Sequence, residues 1–349
     1  MFKDYLELSL ARLFSDIQLN GFWDDKSDRI IESLFHDNQW NWEYRPTDNS
    51  RYAVFCLGML LLSKEMYQLD TIQYDDKIKK FLLKIKSNEE TFSSSDLTYG
   101  ALLSLILGEK IYNLNLITLK TKALINENLI RLSKSRDNND FLLLMASFYY
   151  NQLYPSKELI LKILIIQKRL LDSLNQKCYF ETGDIRASYH QRIMYALWGL
   201  IFTSSFGNAT TVKVFSKRII NYFSGNRKLK DNAFIWHKPL YFVKYYGLKI
   251  PVYNKRSSEF LFECHQTFYV NSINFYQYFF KDAGAFIKEK QNAMEWIFGG
   301  NRNSAKLVEQ TGIDLPCRIM ATDGSYFIEG EMYKGSYEVG SYILALSSF

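Results

Sequence analysis

Six times along this 349-residue chain a short polar stretch gives way to a long apolar run. The transitions fall at Arg51-Tyr52, Asp96-Leu97-Thr98-Tyr99, Phe141, Ser188-Tyr189-His190-Gln191-Arg192, Glu263-Cys264-His265-Gln266 and Gly335-Ser336-Tyr337-Glu338. Measured between Tyr52, Thr98, Leu143, His190, Thr267 and Tyr337, the steps are 46, 45, 47, 77 and 70 residues. A step of about 45 residues holds two helices and two short connections. No such hairpin buries its own apolar face, so the pattern points to a ring of helical hairpins, one domain spanning residues 1–349. In a ring the starts of the inner helices converge on one mouth. Polar residues far apart in sequence then meet in space.

Composition agrees with an all-α reading. The chain is 47% hydrophobic and 16% aromatic, enough for a large core, and its 23% of charged residues argues against disorder. It has only five prolines, as mostly helical structure requires. Val54–Leu62, Leu102–Gly108, Phe141–Tyr150, Leu159–Leu171, Ile193–Phe202, Phe268–Phe280 and Val339–Leu346 all read as helices. Leu159–Leu174 has helical apolar spacing with Lys162, Gln167, Lys168 and Arg169 between, which predicts an outer helix. Val54–Leu62 and Tyr195–Leu200 are apolar all round, as in helices walled by neighbours. The two long steps leave room for insertions of about thirty residues, one of which is expected to contain the basic, aromatic-rich residues 213–249, and insertions in repeat rings collect on the binding face. Thr322-Asp323-Gly324-Ser325 is a turn signal that predicts a short β-hairpin within Arg318–Met332, joining Arg318-Ile319-Met320 to Tyr326-Phe327-Ile328.

Several classes are disfavoured. Cys56, Cys178, Cys264 and Cys317 are scattered, no Cys-x-x-Cys or His-Glu-x-x-His occurs, and neither a metal nor a cofactor is expected. There is no P-loop, dinucleotide fingerprint or nucleophile elbow. The first helical stretch, Met1 to Phe14, carries Asp4 and Glu7, unlike a secretory or transit segment. The longest apolar runs fall short of the roughly 20 residues of a membrane span. Widely spaced thiols without a leader fit a reducing, cytoplasmic setting.

The net charge of +6 is concentrated. Residues 213–249 hold nine bases, Lys213, Lys217, Arg218, Arg227, Lys228, Lys230, Lys238, Lys244 and Lys249, against the single acid Asp231. Nine aromatic residues interleave with them, Trp236 among these. Such a mixture suits an anionic polymer, with rings that stack on sugars or bases. The pI near 8.8 is below that of a dedicated nucleic-acid binder, so a nucleic acid is not the expected partner.

The densest candidate for chemistry is Cys178–Arg192, where Glu181, Asp184, Arg186, Tyr189, His190 and Arg192 crowd just before an apolar helix. Glu263 and His265 repeat the theme at a matching position. Near the end come Trp296 to Asn301, Asp323-Gly324 and Gly335 to Glu338. In this last quarter the chain resembles carbohydrate-active (α/α)6-toroid, or six-hairpin glycosidase-like, proteins. Those proteins carry a Glu-x-His-Gln, a Trp-x-x-Gly-x-Asn-like helix stop, an Asp-Gly loop and a Gly-x-x-Glu-Ser-like last inner helix. The segment Arg302–Gly312 is longer and more polar than that pattern, and Tyr333-Lys334 replaces its Asn-Gln.

The resemblance implies an (α/α)6 toroid that acts on an oligosaccharide or polysaccharide, expected here to be anionic. Hydrolysis needs an acid and a base or nucleophile, two carboxyls roughly 5–10 Å apart. A uronate lyase or epimerase needs cations on the carboxylate and a Tyr or His to take the α-proton. The residues present suit both chemistries. The expected catalytic set is Glu181, Asp184, His190, Glu263 and His265. Arg186, Tyr189, Arg192, Trp236, Asp323 and Glu338 are the expected substrate contacts. Two alternatives stand beside this reading. One is a terpene-cyclase-like toroid, disfavoured because Tyr74-Asp75-Asp76 is not an Asp-x-Asp-Asp proton donor. The other is a non-catalytic module that clamps an acidic polymer or protein.

Overall fold

The computed structural model describes residues 2–19, 21–36, 42–44, 50–88, 95–134, 141–177, 189–225, 228–230, 233–235, 241–245, 248–252, 260–297, 319–321 and 333–349. Six long helices form an inner ring: α2 (Ser50–Tyr67), α4 (Ser95–Tyr112), α6 (Phe141–Leu153), α8 (Tyr189–Thr203), α10 (Glu263–Phe280) and α12 (Ser336–Leu346). Each packs on the next in that order, and α12 packs back on α2, closing the ring. These six starts agree with the transitions in the sequence. Outside lie α1 (Phe2–Phe14), α3 (Asp75–Ser87), α5 (Leu119–Lys134), α7 (Lys157–Lys177), α9 (Ala209–Gly225) and α11 (Ile287–Ile297).

The two rings differ for a simple reason. Inner helices have neighbours on every side, and in α2 the run Tyr52–Leu57 and Met59–Leu62 is buried throughout. Outer helices face water on one side and bury a single stripe, Ile78, Phe81, Leu82 and Ile85 in α3 and Leu159, Ile163, Ile166 and Leu170 in α7. That spacing of three and four is the helical repeat.

The inner helices run parallel. Tyr195 meets Phe268, Trp198 meets Phe275 and Phe202 meets Phe279 as α8 and α10 descend together. Likewise Tyr52 meets Tyr337, and a turn further on Cys56 meets Gly340. The helix starts therefore share one end of the ring, the mouth.

Short strands gather at this end. A three-stranded antiparallel sheet orders β11 (Tyr333–Gly335), β3 (Ser33–His36) and β4 (Trp42–Tyr44), with Tyr333 opposite Phe35 and Leu34 opposite Tyr44. It leads directly into α12. The Ser336 N–H and hydroxyl both donate to the Glu32 carbonyl, at 2.8 and 3.1 Å. A small hairpin, β1 (Trp23–Asp24) with β2 (Arg29–Ile30), precedes the sheet. Between α9 and α10 come two further hairpins, β5 (Lys228–Lys230) with β6 (Ala233–Ile235) and β7 (Tyr241–Tyr245) with β8 (Leu248–Val252). Strand β9 (Phe260–Phe262) then runs into α10 and pairs with β10 (Ile319–Ala321).

Two expectations are refined. Strand β10 lies where the C-terminal hairpin was expected, but its partner among the described residues is β9, 57 residues and more upstream; Tyr326-Phe327-Ile328 lies outside them. The basic stretch is not all insertion. Lys213, Lys217 and Arg218 belong to outer helix α9, whose Phe215 and Phe223 are core residues. Its mixture of bases and rings is the two-faced pattern of an amphipathic helix.

Candidate active site

The mouth has an aromatic floor. Phe55 of α2 stacks on Tyr337 of α12, with ring centroids 4.1 Å apart. Phe55 also lies 6.3 Å from Tyr195 of α8 and 6.5 Å from Phe268 of α10, so the layer crosses the bore. Tyr337 meets Phe268 edge-on at 5.6 Å and Tyr52 at 5.4 Å. Tilted and edge-to-face rings at these distances are mutually favourable. Below the floor, Trp198, Phe275, Phe202, Phe148 and Phe279 continue the packing down the bore. The lower bore is core, and a ligand site at this end lies above the Phe55–Tyr337 layer.

Polar groups sit beside the floor. Glu338, in the first turn of α12, is 3% exposed. Burial, and then the Glu338 charge nearby, push the Cys56 thiol well above the ordinary range, so Cys56 is an inert part of the floor. Glu32, 1% exposed, pairs with Arg29 at 2.7 Å and holds the start of α12 through its carbonyl. Down the seam between α10 and α12, Thr267 Oγ1 and Ser341 Oγ lie 2.8 Å apart. The Asn271 amide donates to the Ser341 carbonyl at 2.9 Å. The Trp198 indole donates to Ser272 Oγ at 2.8 Å. These bonds fix the starts of α8, α10 and α12 relative to one another.

The expected site residues divide into three groups. Glu338 is described in full. Tyr189, His190 and Arg192 occupy the first turn of α8, and Glu263 and His265 the first turn of α10; for these the backbone is described. The two helices are parallel neighbours, so both first turns are at the mouth end. Glu181, Asp184, Arg186, Trp236 and Asp323 lie outside the described residues. Asp323 follows β10 by two residues, and β9, the partner of β10, ends where Glu263 begins. Sequence reasoning missed Glu32, whose one signal is a lone acid between Ile30-Ile31 and Leu34-Phe35. It also passed over Phe55, Tyr195 and Phe268 as a floor, though all three recur in the first or second turn of their helices.

The acidic pair weighed for a cyclase lies elsewhere. Asp75 opens outer helix α3, and Asp76 is 96% exposed. Burial acts to raise the Asp75 carboxyl, but hydrogen bonds from Thr71, Tyr112 and Lys64 outweigh it and hold the group below the ordinary range. Among the described residues no cluster of His, Cys, Asp and Glu is arranged to hold a metal ion, and no helix is long and apolar enough to cross a membrane.

No protein-family model and no curated protein sequence matches this chain. Solved structures do. An unsaturated glucuronyl hydrolase specific for heparin superposes with a TM-score of 0.67 at 10% identity, over 99% of this chain and 96% of its own. An inactive variant of an α-1,6-mannanase from a Salegentibacter species, bound to an α-1,6-mannotetraose, gives 0.62 at 8%, over 100% and 98%. An unsaturated glucuronyl hydrolase from a Bacillus species, responsible for glycosaminoglycan degradation, gives 0.58 at 13%, over 99% and 96%. The fold is the (α/α)6 toroid. The similarity covers 99% or more of this chain, and at these identities it is one of architecture.

Proposed function

We propose that this toroid is a carbohydrate-active enzyme that takes an oligosaccharide or polysaccharide into its mouth and acts on it by acid/base chemistry. The observation that carries the reading is the mouth: the partly exposed Tyr337 tops a buried aromatic layer, the buried acids Glu32 and Glu338 flank it, and the architecture matches solved hydrolases whose names place them on glycans. Glu181, Asp184, His190, Glu263 and His265 supply the acid, base or nucleophile; Arg186, Tyr189, Arg192, Trp236, Asp323 and Glu338 hold the substrate. With two carboxyls as the working pair the reaction is glycoside hydrolysis. With Tyr189 or His190 as base, and Arg186 or Arg192 on a sugar carboxylate, it is elimination or epimerisation at a uronate.

An anionic glycan is favoured by charge. The end of α9 lies beside the start of α10, where Ser224 and the Tyr269 hydroxyl are hydrogen-bonded. The hairpins between these helices therefore spring from the mouth end. They carry Lys228, Lys230, Lys244 and Lys249, with Lys244 directly opposite Lys249. The packed bore beneath the floor also suits a module that binds the glycan without cleaving it.

A panel of neutral and uronic-acid oligosaccharides separates these readings. Turnover of an acidic glycan that falls at least about 100-fold in Glu181→Gln, His190→Ala or Glu263→Gln supports the enzyme. Binding without turnover supports the module, and neither binding nor turnover of any glycan overturns the proposal.

A further inference from the structure

Outer helix α7 buries one stripe against the ring and presents a second apolar patch to solvent. On that outward side Leu161 and Ile165, one turn apart, are 62% and 60% exposed, and the exposed Glu158 and Lys168 flank them. Among the described residues the other outer helices expose large apolar side chains singly or far apart, as with Leu8 of α1, Leu83 of α3 and Val214 of α9. Ile130 of α5, 42% exposed, widens the α7 patch. Lys162 reaches Asn126 and Arg169 reaches the Leu132 carbonyl, so Ile130 lies at the height of Ile165. Glu158, Leu161, Ile165 and Lys168 are spaced by three, four and three residues, the seam that one helix presents to another along a shared axis. The seam is also its own complement. Laid antiparallel on a second copy, about a two-fold axis between Leu161 and Ile165, it sets Leu161 of each copy against Ile165 of the other, and Glu158 against Lys168. Apolar side chains meet in the middle and opposite charges at both ends. In a parallel register Glu158 would meet Glu158 and Lys168 would meet Lys168, so charge selects the antiparallel arrangement. Glu158 already holds Lys162 at 2.7 Å within the helix, and its second carboxylate oxygen can take Lys168 of the other copy.

We propose that this face of α7 is where two copies of the chain associate, as a two-fold dimer with antiparallel α7 helices and mouths that face opposite ways. The proposal is independent of the function proposed above. A single helix pair buries less than the roughly 800 Å² per partner of a standard interface, so the dimer is weak, with a Kd of about 10–100 μM.

Sedimentation velocity of the full chain from about 1 to about 500 μM reads the association directly. Wild type shifts from monomer toward dimer across that range, and Ile165→Asp, which sets a carboxylate against Leu161, stays monomeric. Glu158→Lys gives a seam with lysine at both ends, and Lys168→Glu one with glutamate at both ends. Each alone self-associates about tenfold more weakly than wild type, the scale of two exposed ion pairs replaced by like charges. Mixed in equal amounts, these two variants form a heterodimer within about threefold of the wild-type Kd, because lysine then faces glutamate at both ends. All three substitutions lie on an exposed face, so each variant should melt within about 2 °C of wild type. Wild type that stays monomeric, Ile165→Asp that still dimerises, or charge variants that associate no better mixed than alone, would each overturn the proposal.

Discussion

Replacing Gly340 by alanine tests the closest approach in the ring. A Cβ there would lie 2.6 Å from the Cys56 Cα and 3.2 Å from both its Cβ and its carbonyl oxygen. Two of these three atoms are backbone, so no rotamer change relieves the contact and α12 must move off α2 by about 1 Å. Alanine gains about 1 kcal/mol of helix propensity over glycine. Overpacking that forces backbone to shift costs about 1–3 kcal/mol, and a contact this close belongs at the upper end. The expected net loss is about 2 kcal/mol. At about 2.1 cal/mol/K per residue of unfolding entropy, that is a fall of about 3 °C in melting temperature. The control is Gly58→Ala on α2, where the atoms nearest the new Cβ are side-chain atoms of Leu103 and Ser104, at 3.4 Å. It should lie within about 1 kcal/mol of wild type, on the stabilising side. Thermal and urea unfolding of the three proteins decide the matter. Gly340→Ala as stable as wild type would refute the close packing of α2 and α12, and Gly58→Ala equally damaged would refute the looser fit of α2 on α4. Because the same displacement opens the Phe55–Tyr337 stack, Gly340→Ala should also weaken glycan binding, while Gly58→Ala should not.

Two further outcomes follow from buried polar groups. Lys290 is 7% exposed, with its ammonium 3.3 Å from the Ser348 carbonyl, and burial lowers its pKa to about 8. Below pH 8 both native and unfolded chains hold the proton, and the cost of burying the charge is fully present. Between about pH 8 and 10.5 only the unfolded chain holds it, so native stability rises with pH. The advantage of Lys290→Met over wild type should therefore shrink by about 2–3 kcal/mol between pH 7 and pH 10, and parallel stability curves would contradict the burial. Ser272→Ala leaves the buried Trp198 indole without its acceptor and should cost about 1–3 kcal/mol in urea unfolding, and no loss would contradict the α8–α10 contact.

The ring was legible because its inner helices are walled on all sides. Such helices read as unbroken apolar runs with polar starts, and Arg51, Asp96, His190, Glu263 and Ser336 all fall in first turns. Outer helix α7 was legible from its one buried stripe. Lys213 and Arg218 were misread because local charge counting ignores period, whereas Phe215 and Phe223, eight residues apart, share one helix face. The sheet that seats α12 was invisible: its strands are three or four residues long, and Tyr333 pairs with Phe35 across almost the whole chain. Glu32 was hidden for the same reason, since its role comes from a backbone contact with Ser336 and not from any local pattern.

The central claim is that the end of the ring where the inner helices begin receives a glycan. A crystal structure of His190→Ala soaked with the best-bound member of the oligosaccharide panel tests it most directly. The account predicts a sugar ring in contact with Tyr337, between the first turns of α2, α8, α10 and α12. A glycan bound at the opposite end of the ring, or on the outer helices, would contradict it.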